Sequence, residues 1–232
     1  MTIFPRSKRA IAGLAVVALL SATHPAAALD PYTPPIWNGV YAGLHGGMNW
    51  FEVTAEPDFG TLDISSGQFG AHVGLNYDAG MAVIGVEGDL NFEMGSYSIT
   101  ADSADLGFPG IAASGYVDVT SSGSLRARIG MPIANRALIY ATAGYAWAST
   151  EYGVDGTYGG RPVSYARSMM FHGIAYGIGA EAFVTDNVVL RVEALRFDYA
   201  DKPLTFERIG NTGVSIDPSS DVVRAGLSWR FN

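Results

Sequence analysis

The hardest constraint on this chain is strict alternation between apolar and polar or small residues, clearest from Ser66 to Met94. Phe69, Ala71, Val73, Leu75 and Tyr77 share one parity; Gln68, Gly70, His72, Gly74 and Asn76 share the other. After Asp78-Ala79-Gly80 the pattern resumes, with Ile84, Val86, Leu90, Phe92 and Met94 opposing Glu87, Asp89, Asn91 and Glu93. A period of two means β-strands, because successive strand side chains point to opposite faces. Each run is about ten residues, the length a tilted strand needs to cross a hydrocarbon core.

A soluble sandwich would also have one apolar face, so the rest of the chain must decide. Met1 to Ala28 has the three parts of a secretory signal peptide. Arg6, Lys8 and Arg9 form its basic start, Ala10 to Leu20 its apolar run, and Ala26-Ala27-Ala28 its small-residue cleavage site. Cleavage is expected near Ala28, leaving a Pro-rich periplasmic lead-in over residues 29–36 and a barrel over 37–232. No later stretch reaches eighteen consecutive apolar residues, so no membrane helix is expected. With no cysteine, a disulfide framework and a thiol nucleophile are excluded. Loss of Arg6, Lys8 and Arg9 takes the formal charge from −8 to −11. An acidic, exported chain argues against nucleic acid as a partner.

The same alternation predicts eight strands. Besides the hairpin, these are Trp37–Trp50, Tyr116–Met131, Ala137–Ser149, Met169–Val184, Val188–Tyr199 and Ser220–Asn232. Long connections (Phe51–Ser65, Gly95–Gly115, Thr150–Ser168, Ala200–Ser219) alternate with short ones. Short periplasmic turns and long extracellular loops are the asymmetry of an outer-membrane barrel. The expected fold is therefore all-β: an eight-stranded antiparallel transmembrane β-barrel in the bacterial outer membrane. Its apolar face meets the lipid bilayer, and closure satisfies every backbone group without water. The Gly-rich second face suits a narrow interior.

Parity then assigns candidate sites. Glu87, Asp89, Glu93, Glu181 and Glu193 point into the lumen, as do Arg126, Arg128, Arg191, Arg224 and Arg230. Buried charges persist when paired and hydrogen-bonded, and Arg takes a carboxylate in bidentate fashion. These residues are expected to form a structural ion-pair network, leaving at most a narrow ion path. His45 and His72 are placed opposite each other inside, with Glu87 nearby, as interior polar groups rather than a metal site. His172, with Tyr152, Tyr158 and Tyr165 of the third loop, is a candidate outer haem platform, since His and Tyr both ligate haem. Haem or small-ligand binding, or adhesion to a host partner, through the outer loops is the alternative function. Trp37, Trp50, Tyr77, Phe92, Tyr145, Trp147, Trp229 and Phe231 are expected as interfacial girdles. No resident cofactor and no catalytic residue are expected. No His is followed two positions later by Ser, and a Gly-x-Ser-x-Gly elbow and a phosphate loop are absent.

Several segments resemble a known family. Trp37-Asn38-Gly39-Val40-Tyr41-Ala42-Gly43-Leu44, Leu125-Arg126-Ala127-Arg128-Ile129-Gly130 and Tyr140-Ala141-Thr142-Ala143-Gly144-Tyr145-Ala146 carry the likeness, in that order and spacing. Gly88-Asp89-Leu90, Gly179-Ala180-Glu181, Arg191-Val192-Glu193 and the closing Val-Val-Arg-Ala-Gly-Leu-Ser-Trp-Arg-Phe continue it. The chain resembles the alpha-proteobacterial porin-like outer-membrane proteins, the 25- and 31-kilodalton surface antigens. That resemblance implies an OmpA-like eight-stranded barrel with structural and antigenic roles and, in some members, haem binding. It also implies a C-terminal signal for the barrel-assembly machinery at Trp229 and Phe231, although here Asn232 follows the terminal aromatic.

Overall fold

In the computed structural model the described residues are 36–56, 60–94, 97–101, 111–134, 136–158, 161–200, 202–206 and 210–231. The segment read as a signal peptide, and residues 29–35 of the lead-in, lie outside them. Among the described residues there are ten strands: β1 (Gly39–Glu56), β2 (Gly60–Asp78), β3 (Val83–Met94), β4 (Tyr97–Ala101), β5 (Ile111–Ala134), β6 (Ala137–Tyr158), β7 (Arg161–Phe183), β8 (Val188–Tyr199), β9 (Lys202–Phe206) and β10 (Gly210–Phe231). All pair antiparallel, and β1 closes on β10 from Val40↔Phe231 to Glu56↔Ser215.

The barrel nevertheless has eight staves. β4 pairs with β5 beyond the end of β3, and its register is offset by one residue from the β3–β5 ladder. β9 continues β8 along β10 in the same way. A closed sheet leaves no unpaired edge, which is the condition for crossing lipid with strands.

The short connections form as expected. In the first, the Ala79 amide donates to the Ala82 carbonyl at 2.8 Å and the Gly80 amide to Asp78 Oδ1 at 2.8 Å. Gly80 has φ +86°, a conformation that costs glycine little. The long connections differ from the expectation. Strand pairing runs on through much of each: β1 reaches Glu56, β2 begins at Gly60, β6 reaches Tyr158 and β7 begins at Arg161. Alternation marks a strand only where its two faces meet different surroundings. Backbone pairing continues past the membrane, where the apolar residues of 53–56 and 60–64 no longer keep the parity of the lipid-facing wall.

Burial follows parity. Leu44 is 70% exposed and Val73, Leu90, Leu125, Ile174 and Leu227 stand beside it on the outer wall. A wall so apolar is untenable in water and suited to lipid. Trp50, Tyr77, Phe92, Tyr145, Trp229 and Phe231 are exposed on that wall, as girdle residues should be. Trp37 is a correction: it is 2% exposed and packs with Val83, Leu138, Tyr140 and Val189 inside the short-turn end of the barrel. It precedes the strand, so strand parity does not govern it, and Gly39 (φ 110°) turns the chain after it. Thr120 shares the lumen parity of Ser122 and Ser124 in the sequence, but a register shift between Val119 and Ser121 leaves it exposed.

Candidate functional site

The lumen is the site, and glycine makes room for it. Lumen rings lie flat on neighbouring staves at positions without a side chain. A Cβ on Gly74 would stand 2.3 Å from the Tyr41 ring, and one on Gly179 would stand 2.4 Å from the Tyr140 ring. These close approaches let two tyrosines and several arginines share an interior that is just wide enough for side chains.

Glu87 on β3 is the hub. It meets Arg126 at 2.7 Å, Arg191 at 2.8 Å, Arg128 at 3.4 Å and Arg224 at 3.9 Å, and it accepts a hydrogen bond from the Tyr41 hydroxyl at 2.7 Å. Arg126 also reaches Asp89 at 2.9 Å and Glu193 at 3.5 Å, while its Nε donates to Ser124 Oγ at 2.9 Å. Arg224 Nε donates to Glu193 at 2.7 Å, and Arg128 pairs with Glu181 at 2.9 Å. Arg191 adds Glu193 at 3.1 Å and Glu181 at 3.5 Å. The guanidinium of Arg128 sits 3.9 Å from the Tyr140 ring centre, and Tyr140 in turn donates to Glu193 at 2.8 Å. All of these side chains are buried. Each charge is met by opposite charge, and the Tyr41, Tyr140 and Ser124 hydroxyls add hydrogen bonds to several of them, which is what burial of an ion requires.

Two expected members stand apart. Among the described residues Glu93 makes no ion pair; it accepts from Asn49 Nδ2 at 3.0 Å and Ser66 Oγ at 2.8 Å, toward the long-loop end. Arg230 makes none either; it donates to the Asn38 carbonyl and lies 5.9 Å from the Trp37 ring centre at the short-turn end. Both have the right parity. They stand toward the two ends of the tube, outside direct ion-pair distance of the opposite charges among the described residues.

His45 and His72 do meet, with rings stacked 5.3 Å apart and Nδ1 atoms at 3.1 Å. The register differs from the expected one by two residues: His45 pairs with Gly70 and His72 with Gly43, so the rings meet diagonally. Each Nε2 is engaged, His45 with Asn91 Oδ1 at 2.7 Å and His72 with Ser228 Oγ at 2.8 Å. Among the described residues no group of three His, Cys, Asp or Glu side chains is placed to hold a metal.

The long-loop end of the lumen is filled differently. Phe171, Leu195, Phe197, Tyr199 and Val222 form an apolar cluster with Ala146, Ala148 and Ala175, and Phe51 packs against it. Sequence reading missed this cluster because Ala148, Leu195 and Phe197 have lumen parity, and a lumen was expected to be polar. On the outside, His172 is exposed and stacks on Tyr145 at 5.9 Å, with its Nδ1 against the Tyr145 hydroxyl. The side chains of Tyr152, Tyr158 and Tyr165 lie outside the described residues.

A closed antiparallel barrel with an apolar outer wall and a charged, packed lumen defines a class: the transmembrane barrel that sits in the lipid of an outer membrane. The family model for the outer membrane protein beta-barrel domain matches residues 12–231, and the chain belongs to that family. It is similar to the 25 kDa outer-membrane immunogenic protein of Brucella canis, 29% identical over 197 residues that cover 84% of this chain and 79% of the relative. It is also similar to the 22 kDa outer membrane protein of Rhizobium leguminosarum bv. viciae, 30% identical over 197 residues covering 84% and 78%. Among solved structures, a major outer membrane protein from Thermus thermophilus overlays with a TM-score of 0.46 at 13% identity, covering 83% of this chain and 99% of that one. The bacterial outer membrane is therefore the place of this protein.

Proposed function

We propose that this is a structural, surface-exposed outer-membrane protein, without enzymatic activity, whose charge-filled lumen admits at most a narrow ion path. The observation that carries the proposal is the Glu87 hub, where one carboxylate meets four guanidinium groups in a packed, buried centre. Such a lumen serves the stability of the barrel, and its packed centre offers substrate no open cleft among the described residues. The name of the Brucella relatives, outer-membrane immunogenic protein, supports exposure at the cell surface. Residues 1–28 act as the export signal, and the last strand, with Trp229 and Phe231 on the wall, engages the barrel-assembly machinery. The test is single-channel conductance of the refolded mature barrel in a planar bilayer. Silence or rare, small openings are expected; steady, large, ion-selective openings would overturn the filled-lumen reading.

A second reading is ligand binding, haem included, or adhesion at the outer rim. The Tyr145–His172 contact favours the haem form, because an imidazole nitrogen against a phenol hydroxyl can take its proton as the phenolate oxygen binds iron. Haemin titration of the refolded barrel, with Tyr145→Phe as control, decides it. A saturable absorbance change lost in the variant supports this reading, and an unchanged titration removes it.

A further inference from the structure

At the short-turn end the ion pairs leave a small cavity. Trp37, Asn76, Glu181, Ser228 and Arg230 help to line it, and its volume is about 10 Å³. That is close to the room one water needs, about 10–15 Å³. Two of the lining side chains have polar atoms without a partner, Asn76 Oδ1 and Arg230 Nε. Both residues are deeply buried, at 4% and 2% exposed. Buried polar atoms are rarely left so, because an unmade hydrogen bond forfeits the hydration each atom had in the unfolded chain.

The chemistry of the lining selects the occupant. Arg230 Nε can only donate; Asn76 Oδ1 and the Glu181 carboxylate can only accept. Water donates two hydrogen bonds and can accept two, so one molecule can take the Arg230 Nε–H and donate to both oxygens. A bound anion would face the Glu181 carboxylate and the Asn76 oxygen, and a bound cation would face the Arg230 guanidinium. Glu181 continues the line inward: it lies 3.5 Å from Arg191, which reaches Glu87 at 2.8 Å and has Nε and Nη1 themselves unpartnered. Outward the line ends at Trp37, whose ring packs 4.8 Å from Phe183 and lies beneath the Arg230 guanidinium.

We infer that this cavity is a bound-water site and the solvent inlet of the lumen network, capped by Trp37. The lumen then hydrates from its periplasmic end. Arg230 is a positioning residue that holds both the water and the cap, which accounts for a guanidinium that makes no direct ion pair among the described residues. The inference deepens the filled-lumen reading, but its test does not depend on conductance: the water belongs there whether or not ions pass.

Because the chain has no cysteine, a single introduced thiol reports without background. Ser228→Cys places one on the cavity; Ser124→Cys places one at the fully buried centre. The refolded barrels are treated with methyl methanethiosulfonate, a small neutral reagent. Ser228→Cys is expected to react at least tenfold faster than Ser124→Cys. Adding Trp37→Ala should raise the first rate at least tenfold again and leave the second unchanged. Equal rates, or a Ser228→Cys rate indifferent to Trp37→Ala, would overturn the inlet. Should Trp37→Ala not fold, a high-resolution crystal structure of the unaltered barrel decides. An oxygen within hydrogen-bond distance of Arg230 Nε and Asn76 Oδ1 supports the site, and an empty or ion-filled cavity refutes it. A large conductance with this water in place would reject the filled lumen and leave the inlet standing.

Discussion

In the middle of the lumen Arg126, Arg191 and Arg224 meet Glu87, Asp89 and Glu193; toward the long-loop end, Phe171, Leu195, Phe197, Tyr199 and Val222 meet one another. Both sets fill the same narrow tube, and both come from residues of lumen parity. The middle is held by partner identity, since each buried charge needs its opposite within reach. The far end is held by volume, since apolar side chains need only fit. A charge in the first region cannot be removed singly, whereas a ring in the second can be traded for another apolar group of similar size.

Substitutions can break or sharpen that contrast. The largest effect is expected from Arg126→Ala, which strands Glu87 and Asp89 with fewer counter-charges. Losing one partner of a buried ion pair costs about 3–5 kcal/mol. The heat-modifiable gel mobility of the refolded barrel should shift at a clearly lower temperature, and an unchanged midpoint would show that the network does not hold the barrel. Next comes Phe197, where truncation to Ala should cost about 3 kcal/mol but Phe197→Leu less than about 1.5 kcal/mol. Denaturant unfolding of both variants tests this; equal losses would mean that the far end also depends on a specific partner. Gly179→Ala drives a Cβ to 2.4 Å from the Tyr140 ring, and overpacking of this kind costs about 1–3 kcal/mol. Because Tyr140 donates to Glu193, Tyr140→Phe should recover none of that loss; recovery would separate the ring from the network. The smallest effect belongs to Arg136→Ala. Its 3.2 Å contact with Asp186 is exposed on both sides, and such pairs contribute about 0–1 kcal/mol. A loss comparable to that of Arg126→Ala would dissolve the distinction between buried and exposed pairs.

Much of this was legible in the residues. Alternation from Phe69 to Met94 identified a membrane hairpin, and the same rule put Glu87, Arg126 and Arg191 inside and Leu44 and Leu125 outside. It failed wherever its premise failed. Trp37 lies before the strand, so parity could not place it as the cap. Residues 53–56 and 60–64 pair as strands, but their apolar residues Val53, Ala55, Leu62 and Ile64 fall on the parity opposite to that of the lipid-facing wall, so they read as loop. Leu195 and Phe197 showed lumen parity in a lumen expected to be polar, and their cluster went unseen.

The sequence by itself determined which face of each stave meets lipid, because a period of two needs only the local chain. It also determined the number of staves crossing the membrane, because each apolar run is bounded by turn residues. Which charge meets which was decided only by closure. Glu87 and Arg191 are 104 positions apart, and Arg224 and His45 are 179 apart. Their heights in the tube follow from the stagger between staves that the closed barrel imposes. A shift of two residues keeps every side chain on its face but moves it to another level. That is how His45 and His72 come to stack diagonally rather than face to face, while Glu93 and Arg230, toward opposite ends of the tube, make no ion pair among the described residues.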